Sequence, residues 1–246
     1  VFLSRIELNA ARRGTRHLLG SPQKLHAAVE ASFPSGDPQG QDGGSRRLWR
    51  LDTGSPNPRL YVVSATAPDF THLEEQAGWP TQPNWAVADY SPLLDDLTTD
   101  QFWEFRLAAN PVHAVRPEDG GRSKRFAHVT VAQQEEWLAR RAQHLGVAFD
   151  VGVEVGTDDP TDDEDSASVS FRVEERRLMK FTRKNHSVTI RKVRYDGVLR
   201  VTDPGRLRSA LVNGIGPAKA YGCGLLTLVP VADGSGSRFL SSADRG

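Results

Sequence analysis

Cysteine is nearly missing from this 246-residue chain: Cys223 stands alone, which excludes an internal disulfide. Long apolar runs are missing too, and none approaches the ~20 residues needed to cross a bilayer. The opening Val1 to Leu8 alternates too strictly and is too short to act as a secretion signal. These absences lead us to expect a cytoplasmic protein with no membrane partner. Metal-ligand spacing is also lacking, for the seven histidines include no HxxxH, CxxC or CxxH pairing. The acidic run Asp158 to Asp165 has neither the spaced oxygens nor the central glycine of a calcium loop, and reads as a solvated loop. Neither metal nor cofactor is expected. Cys223 lies between glycines with no base beside it in sequence, which gives little support for a thiol nucleophile.

Nor does the chain carry net charge. It has 31 Lys or Arg against 31 Asp or Glu, which taken alone argues against a polyanionic partner. The average conceals a segregation. Residues 158–165 hold six carboxylates, so the rest of the chain carries +6, and Arg172 to Arg194 sets nine cations against Glu174 and Glu175. Such a stripe acts on phosphates over about a Debye length, ~8 Å at physiological salt. Arg176, Arg177, Lys180, Arg183 and Lys184 crowd into nine residues, and guanidinium forks match phosphates and guanine edges. A solubility surface is the competing reading. Nine cations against two anions exceed what solvation requires, and binding is preferred.

What the chain has in excess is glycine around one lysine. Gly214-Ile215-Gly216-Pro217-Ala218-Lys219-Ala220-Tyr221-Gly222-Cys223-Gly224 lies between a helix opened by Asp203 and Pro204 and an apolar strand from Leu225 to Val231. Rossmann and P-loop fingerprints run from strand to helix, the reverse order, and no Ser or Thr follows Lys219. A glycine-capped turn explains Gly214 and Gly216 but leaves Gly222 and Gly224 without a reason. Close approach of backbone N–H groups and Lys219 to a phosphate is therefore preferred.

Taken in order, the chain predicts two rounds of the same elements. Phe2 to Leu8 reads as a strand, and residues 14–20 as a polar connection. Ser21 and Pro22 open a helix whose stripe is Leu25, Ala28, Val29 and Ser32. Strands at 47–51 and 60–65, a short helix at 68–76 and a poorly marked strand at 85–90 follow. A link over 91–100 leads to a clear strand at 101–109. Thr130 and Gln133 then form a capping-box pair for a helix with Trp137, Leu138, Ala142 and Leu145 inside, stopped by Gly146. A strand at 149–155 precedes a hairpin of strands 168–181 and 187–201 that turns near Lys184, with a bulge where the apolar parity slips between Ile190 and Val193. The fold class is α+β, two tandem ferredoxin-like (βαββαβ) domains. Residues 1–95 form the first and 100–231 the second, with 232–246 a disordered tail.

The run GIGPAKAYGCGLLTL resembles the glycine-rich loop near the C-terminus of the CRISPR repeat-binding superfamily, and in particular of its CasE endoribonucleases. Phe2-Leu3-Ser4-Arg5, Leu25-His26 ahead of Phe33-Pro34, the Phe105 to Pro111 run, and Ser123-Lys124-Arg125 ahead of Glu136-Trp137-Leu138 agree with that branch in chain order. The resemblance implies an endoribonuclease that binds the stem-loop of CRISPR repeat RNA and cuts precursor CRISPR RNA 3′ of the stem. It further implies partnership with other subunits of the Cascade complex. RNA contact is then expected from Arg176, Arg177, Lys180, Arg183 and Lys184 of the hairpin, and from Gly214, Gly216, Lys219, Gly222 and Gly224 of the loop.

Read from the residues alone, His26 is a histidine at the border between core and solvent, beside Gln23 and Glu30. The resemblance makes it the catalytic residue. RNA carries its own nucleophile, so an imidazole with unperturbed pKa ~6.5 and charge stabilisation around the phosphate suffice. Attack by the 2′-hydroxyl leaves a 2′,3′-cyclic phosphate and a 5′-hydroxyl. Relatives often carry tyrosine three residues before the histidine, where this chain has Gln23, and an amide cannot relay a proton. Lys24, Lys219 and Tyr221 are candidates for the second group. A noncatalytic guide-RNA-binding subunit of the same fold is the alternative reading, and an enzyme acting on small phosphorylated metabolites ranks last.

Overall fold

The computed structural model describes residues 1–34, 47–79, 81–116, 123–149, 170–183 and 186–231. The acidic run, Lys184, and residues 232–246 of the expected tail lie outside them, as does most of the strand expected at 149–155.

The first half runs β1 (Phe2–Glu7), α1 (Arg13–Leu19), α2 (Pro22–Ala31), β2 (Leu48–Asp52), β3 (Arg59–Ser64), α3 (Thr71–Ala77), β4 (Trp85–Asp89) and α4 (Ser91–Asp95). Its sheet has the order β2-β3-β1-β4 with every pair antiparallel, which is the ferredoxin-like arrangement. Ile6, Leu8, Leu60 and Val62 share a buried cluster with Leu18, Leu25, Val29 and Leu73 from α1, α2 and α3 and with Phe70 just ahead of α3.

The second half runs β5 (Phe102–Ala109), β6 (Val112–Val115), β7 (Lys124–Ala127), α5 (Val131–Ala139), α6 (Ala142–Leu145), β8 (Val147–Ala148), β9 (Phe171–Arg183), β10 (His186–Val201), α7 (Pro204–Asn213) and β11 (Leu226–Pro230). The order β11-β5-β10, with β9 and β8 both paired to the outer side of β10, repeats the first sheet's plan. Thr130 and Gln133 complete the expected capping box, and Gly146 ends α6 at φ 72°.

Several expectations are corrected. Residues 13–19 are helical because Thr15 and Leu18 are buried and Thr15 Oγ1 donates to the Ala77 carbonyl at 3.2 Å, an anchor that no local pattern reveals. Ser21 has the backbone of an N-cap, yet its hydroxyl donates to Gln23 Oε1 instead of accepting from the helix. The hairpin bulge falls at Glu174 of β9, where the register steps from Arg194↔Glu175 to Tyr195↔Val173. Ile190 and Val193 are both buried because they serve opposite faces of β10. A two-stranded ribbon, β6–β7, was not expected at all.

The halves share a core. Leu48, Val63 and Tyr90 of the first half belong to the same buried cluster as Trp103, Leu107, Trp137, Tyr195 and Leu211 of the second. Arg50, buried on β2, donates across the junction to the carbonyl of Arg106 at 2.8 Å and to the Thr227 hydroxyl at 2.8 Å.

Candidate functional site

His26 stands on α2 two turns before Phe33, with its imidazole about one third exposed. Its Nδ1 is shielded from solvent and lies 3.7 Å from Glu30 Oε1, one turn on. Glu30 is itself paired with Arg47, whose guanidinium sits 4.1 Å over the Phe33 ring. One edge of the imidazole is thus faced by a carboxylate while the remainder is open. An imidazole in that setting can exchange a proton with a bound molecule.

Two elements close on the helix that carries it. Gln23 Nε2 donates to the Thr182 carbonyl of β9 at 2.7 Å, so the N-terminal turn of α2 is fastened to the basic hairpin. The glycine loop arrives from the other side: its single 3-10 turn, Lys219–Tyr221, abuts α2 and β2. The Tyr221 ring lies 4.8 Å from that of Phe181 of the hairpin, tilted by 55°. Between α2, β2 and the hairpin opens a cleft of about 250 Å³ whose lining includes Pro22, Leu25, Arg177, Lys180, Lys192 and Tyr221. Burial pushes the Lys192 ammonium down from its ordinary value, outweighing Cys223, Asp52 and Glu175, which favour the cation.

The basic stripe divides in two. Arg172 and Arg194 are taken up by Glu174 at the bulge, and Arg194 also reaches Asp196 at 3.3 Å. Arg176, Arg177 and Lys180 are exposed. Arg176 and Arg177 are consecutive on a strand and leave it on opposite sides. Arg177 lines the cleft beneath α2, whereas Arg176 donates to the Val129 carbonyl at 3.5 Å. The backbone of Arg183 continues β9 to its end.

The glycines have a packing reason that the sequence does not disclose. Gly222 adopts φ 76°, and a Cβ there would lie 2.5 Å from the Trp49 ring. Gly214, at φ 73°, covers Leu48 in the same way, with 2.7 Å to Cδ2. The loop is therefore pressed onto β2 of the first half, and only glycine has both the φ and the absence of a side chain that this contact requires. Gly216 lies against Trp137, and Gly224 donates its N–H to the Ala108 carbonyl at 2.6 Å. Lys219 Nζ donates to the Asn213 carbonyl at 2.6 Å, at the C-terminal end of α7 where a cation is favoured. Lys24 points to His17 Nδ1 at 3.3 Å. Cys223 is fully buried, and burial pushes its thiol up to about 11. Among the described residues no cluster of His, Cys, Asp or Glu is arranged to hold a metal ion, and no helix is long and apolar enough to cross a membrane.

A family profile described as "CRISPR associated protein" matches residues 1–230, nearly the whole chain. The chain belongs to that family. Within it, the CRISPR-associated endoribonuclease Cse3 of Thermus thermophilus is 29% identical over 237 residues, covering 94% of this chain and all of the relative. The Cascade subunit CasE of Escherichia coli is 34% identical over 197 residues, or 75% of this chain and 89% of the relative. Among solved structures, Cse3 bound to a 19-nucleotide RNA superposes with a TM-score of 0.72 at 28% identity, covering 94% of this chain and 100% of that one. This CRISPR-associated protein is thus of the CasE type along its length, with the tandem ferredoxin-like plan.

Sequence reasoning brought His26, Gln23, Arg177, Lys180 and Tyr221 into view, and the fold gathers them around one helix. It missed Lys192. The only signal was its place two residues after Ile190, which puts it on the same face of β10 as that buried side chain.

Proposed function

We propose that this chain is a metal-independent endoribonuclease that binds the stem-loop of CRISPR repeat RNA and cleaves precursor CRISPR RNA 3′ of the stem, in the cytoplasm and together with other Cascade subunits. The observation that carries the reading is the docking of the His26 helix onto the basic hairpin through Gln23 and Thr182, at 2.7 Å. It joins the helix that carries a partly open imidazole to a surface suited to phosphates. Residues 1–95 supply the histidine, and residues 100–231 supply the hairpin and the glycine loop.

In this reading His26 moves a proton at the scissile linkage, either from the attacking 2′-hydroxyl or to the departing 5′-oxygen. Arg177 and Lys180, which line the cleft, hold the RNA backbone there, and Arg183 and Lys184 are further phosphate contacts. Lys192 and Tyr221 line the same cleft and supply a cation and a phenol there. Lys219 and the glycines support that turn, with the N–H groups of Gly214, Gly222 and Gly224 already donating to the Ala210, Lys219 and Ala108 carbonyls at 2.9, 3.3 and 2.6 Å.

The alternative, a noncatalytic guide-RNA-binding subunit, draws on Gln23. Its amide is committed to Thr182 and offers no relay proton. One experiment separates the two: a repeat hairpin incubated with wild type, with His26→Ala, and with wild type in EDTA, with the product ends identified. The endonuclease reading expects 2′,3′-cyclic phosphate ends, survival in EDTA, no cutting of a 2′-deoxy substrate, and a loss of ~10²- to 10⁴-fold in His26→Ala with binding retained. Tight binding without cutting would establish the alternative.

A further inference from the structure

The ribbon β6–β7 packs outside the second sheet and is not used by the site around His26. It is anchored where it meets α5: buried Gln134 donates to the His128 carbonyl at 2.9 Å, and the His128 N–H donates to the Pro111 carbonyl at 3.0 Å. On its exposed face His113 and Phe126 form a cross-strand pair with rings 6.0 Å apart at 29°. His128 adds a third ring 4.8 Å from His113. Phe126 is 49% exposed, an unusual setting for a phenylalanine fixed in a hydrogen-bonded ribbon.

His113 and His128 line a trough of about 640 Å³ that reaches the glycine loop at Gly216 and Pro217, with Phe126 outside its lining. Arg125, Arg140 and Arg141 line it, and Glu136 is the one carboxylate among its lining residues. Arg141 is preset, lying 3.9 Å over the Trp137 ring and donating to the Trp137 carbonyl at 2.6 Å. Arg140 carries a largely exposed guanidinium paired to Glu136. Burial, with His113, Arg141 and Arg140 adding to it against Glu136, lowers the pKa of His128, so its ring is a neutral, flat surface at pH 7. The face is continuous with the hairpin, because Arg176 reaches across to the Val129 carbonyl next to His128.

We propose that this face binds unpaired RNA adjoining the stem, with bases stacked on His113 and Phe126 and phosphates held by Arg125, Arg140 and Arg141. The proposal rests on the reading that the hairpin binds repeat RNA. Stacking requires a base freed from its partner, since a duplex offers no open ring faces along its length and A-form RNA hides its base edges in a deep, narrow groove. Exposed rings lined by cations are the arrangement that single strands use. The cations also favour a polyanion over a protein surface.

The test is fluorescence anisotropy with three kinds of RNA, each carrying a 2′-deoxy nucleotide at the cut site. They are the bare hairpin, the hairpin with an unpaired extension of about eight nucleotides on either side, and the same extensions made abasic. Wild type should prefer one of the extended hairpins by on the order of tenfold. The abasic extension and the double variant His113→Ala with Phe126→Ala should each lose most of that preference, while the bare hairpin binds the variant like wild type. No preference in wild type, a preference that survives in the variant, or an equal loss on the bare hairpin would each overturn the proposal. Should wild type bind no hairpin, the function reading fails separately. The isolated extension then decides for the ribbon: binding lost in the double variant sustains it, and absence of binding ends it. A variant with unaltered RNA binding that cannot join the other complex subunits would assign the face to a protein.

Discussion

Gln23 donates from Nε2 to the Thr182 carbonyl at 2.7 Å, and this one bond joins the helix of the proposed catalytic histidine to a hairpin distant in sequence. Its removal should loosen the hairpin without altering the imidazole. Gln23→Leu is expected to melt within ~1 kcal/mol of wild type, the net value of one hydrogen bond. It should weaken hairpin RNA several-fold and leave the pH profile of single-turnover cleavage unchanged. A shifted profile with normal affinity would mean that the amide acts on the chemistry itself.

Charge reversal at the hairpin should separate its two uses. On the bare hairpin RNA, Arg176→Glu with Arg177→Glu should lose far more affinity than Arg140→Glu with Arg141→Glu. It should also flatten the slope of log K against log salt, since fewer phosphates are then neutralised and fewer counterions released. Thermal melts of both variants guard against a folding defect, particularly at Arg141, which packs on Trp137. Equal losses would remove the hairpin as the principal stem-binding surface.

The glycine loop divides into scaffold and contact. Gly222→Val adds a β-branched residue at φ 76° into the Trp49 ring, and a loss of ~3 kcal/mol or failure to fold is expected. Lys219→Ala should fold nearly as wild type and bind RNA more weakly. If binding and cleavage are both unchanged in Lys219→Ala, the loop acts only as a turn.

Asp52 governs an acid-sensitive contribution. Burial raises its pKa, but Arg50 at 2.8 Å and Arg106 at 3.3 Å outweigh it and hold the carboxyl below its ordinary value. The unfolded chain binds the proton more tightly, so the stabilisation is complete above ~3.9 and lost as pH falls through the lower folded value. Asp52→Asn leaves buried Arg50 without its charge partner and should cost ~3 kcal/mol at neutral pH. Urea melts stepped down to pH ~3 should show that loss shrinking in the variant comparison. A constant difference across the range would contradict the pairing.

The fold was legible wherever a local rule coincided with a tertiary need. The capping box at Thr130, the stop at Gly146 and the alternating strands are of that kind, and the order of elements then follows. The helix α1 was not legible, because its reason is a hydrogen bond to Ala77, far along the chain. The four-residue strands of the ribbon are too short to show a period. At the site, His26 was visible through its motif and Gln23 as a departure from it. Lys192 was counted as one more surface cation, although it shares a face of β10 with buried Ile190 and lines the cleft. The glycines were noticed for the right oddity, yet the partners that demand them, Leu48 and Trp49, lie more than 160 residues away.

Arg50 reaches from the first half into the second, to the Arg106 carbonyl and Thr227, and Leu48 beside it lies under Gly214. Tandem repeats of one plan ordinarily suggest modules that could be expressed apart. Here a fragment ending near residue 95 would leave a buried guanidinium with Asp52 but without its acceptors in the second half, and a strand without its cover. The partner fragment would open its glycine loop to water. The two halves should accordingly melt as one cooperative unit, and the slowest-exchanging backbone amides should lie on both sides of the junction, not in two separate sets.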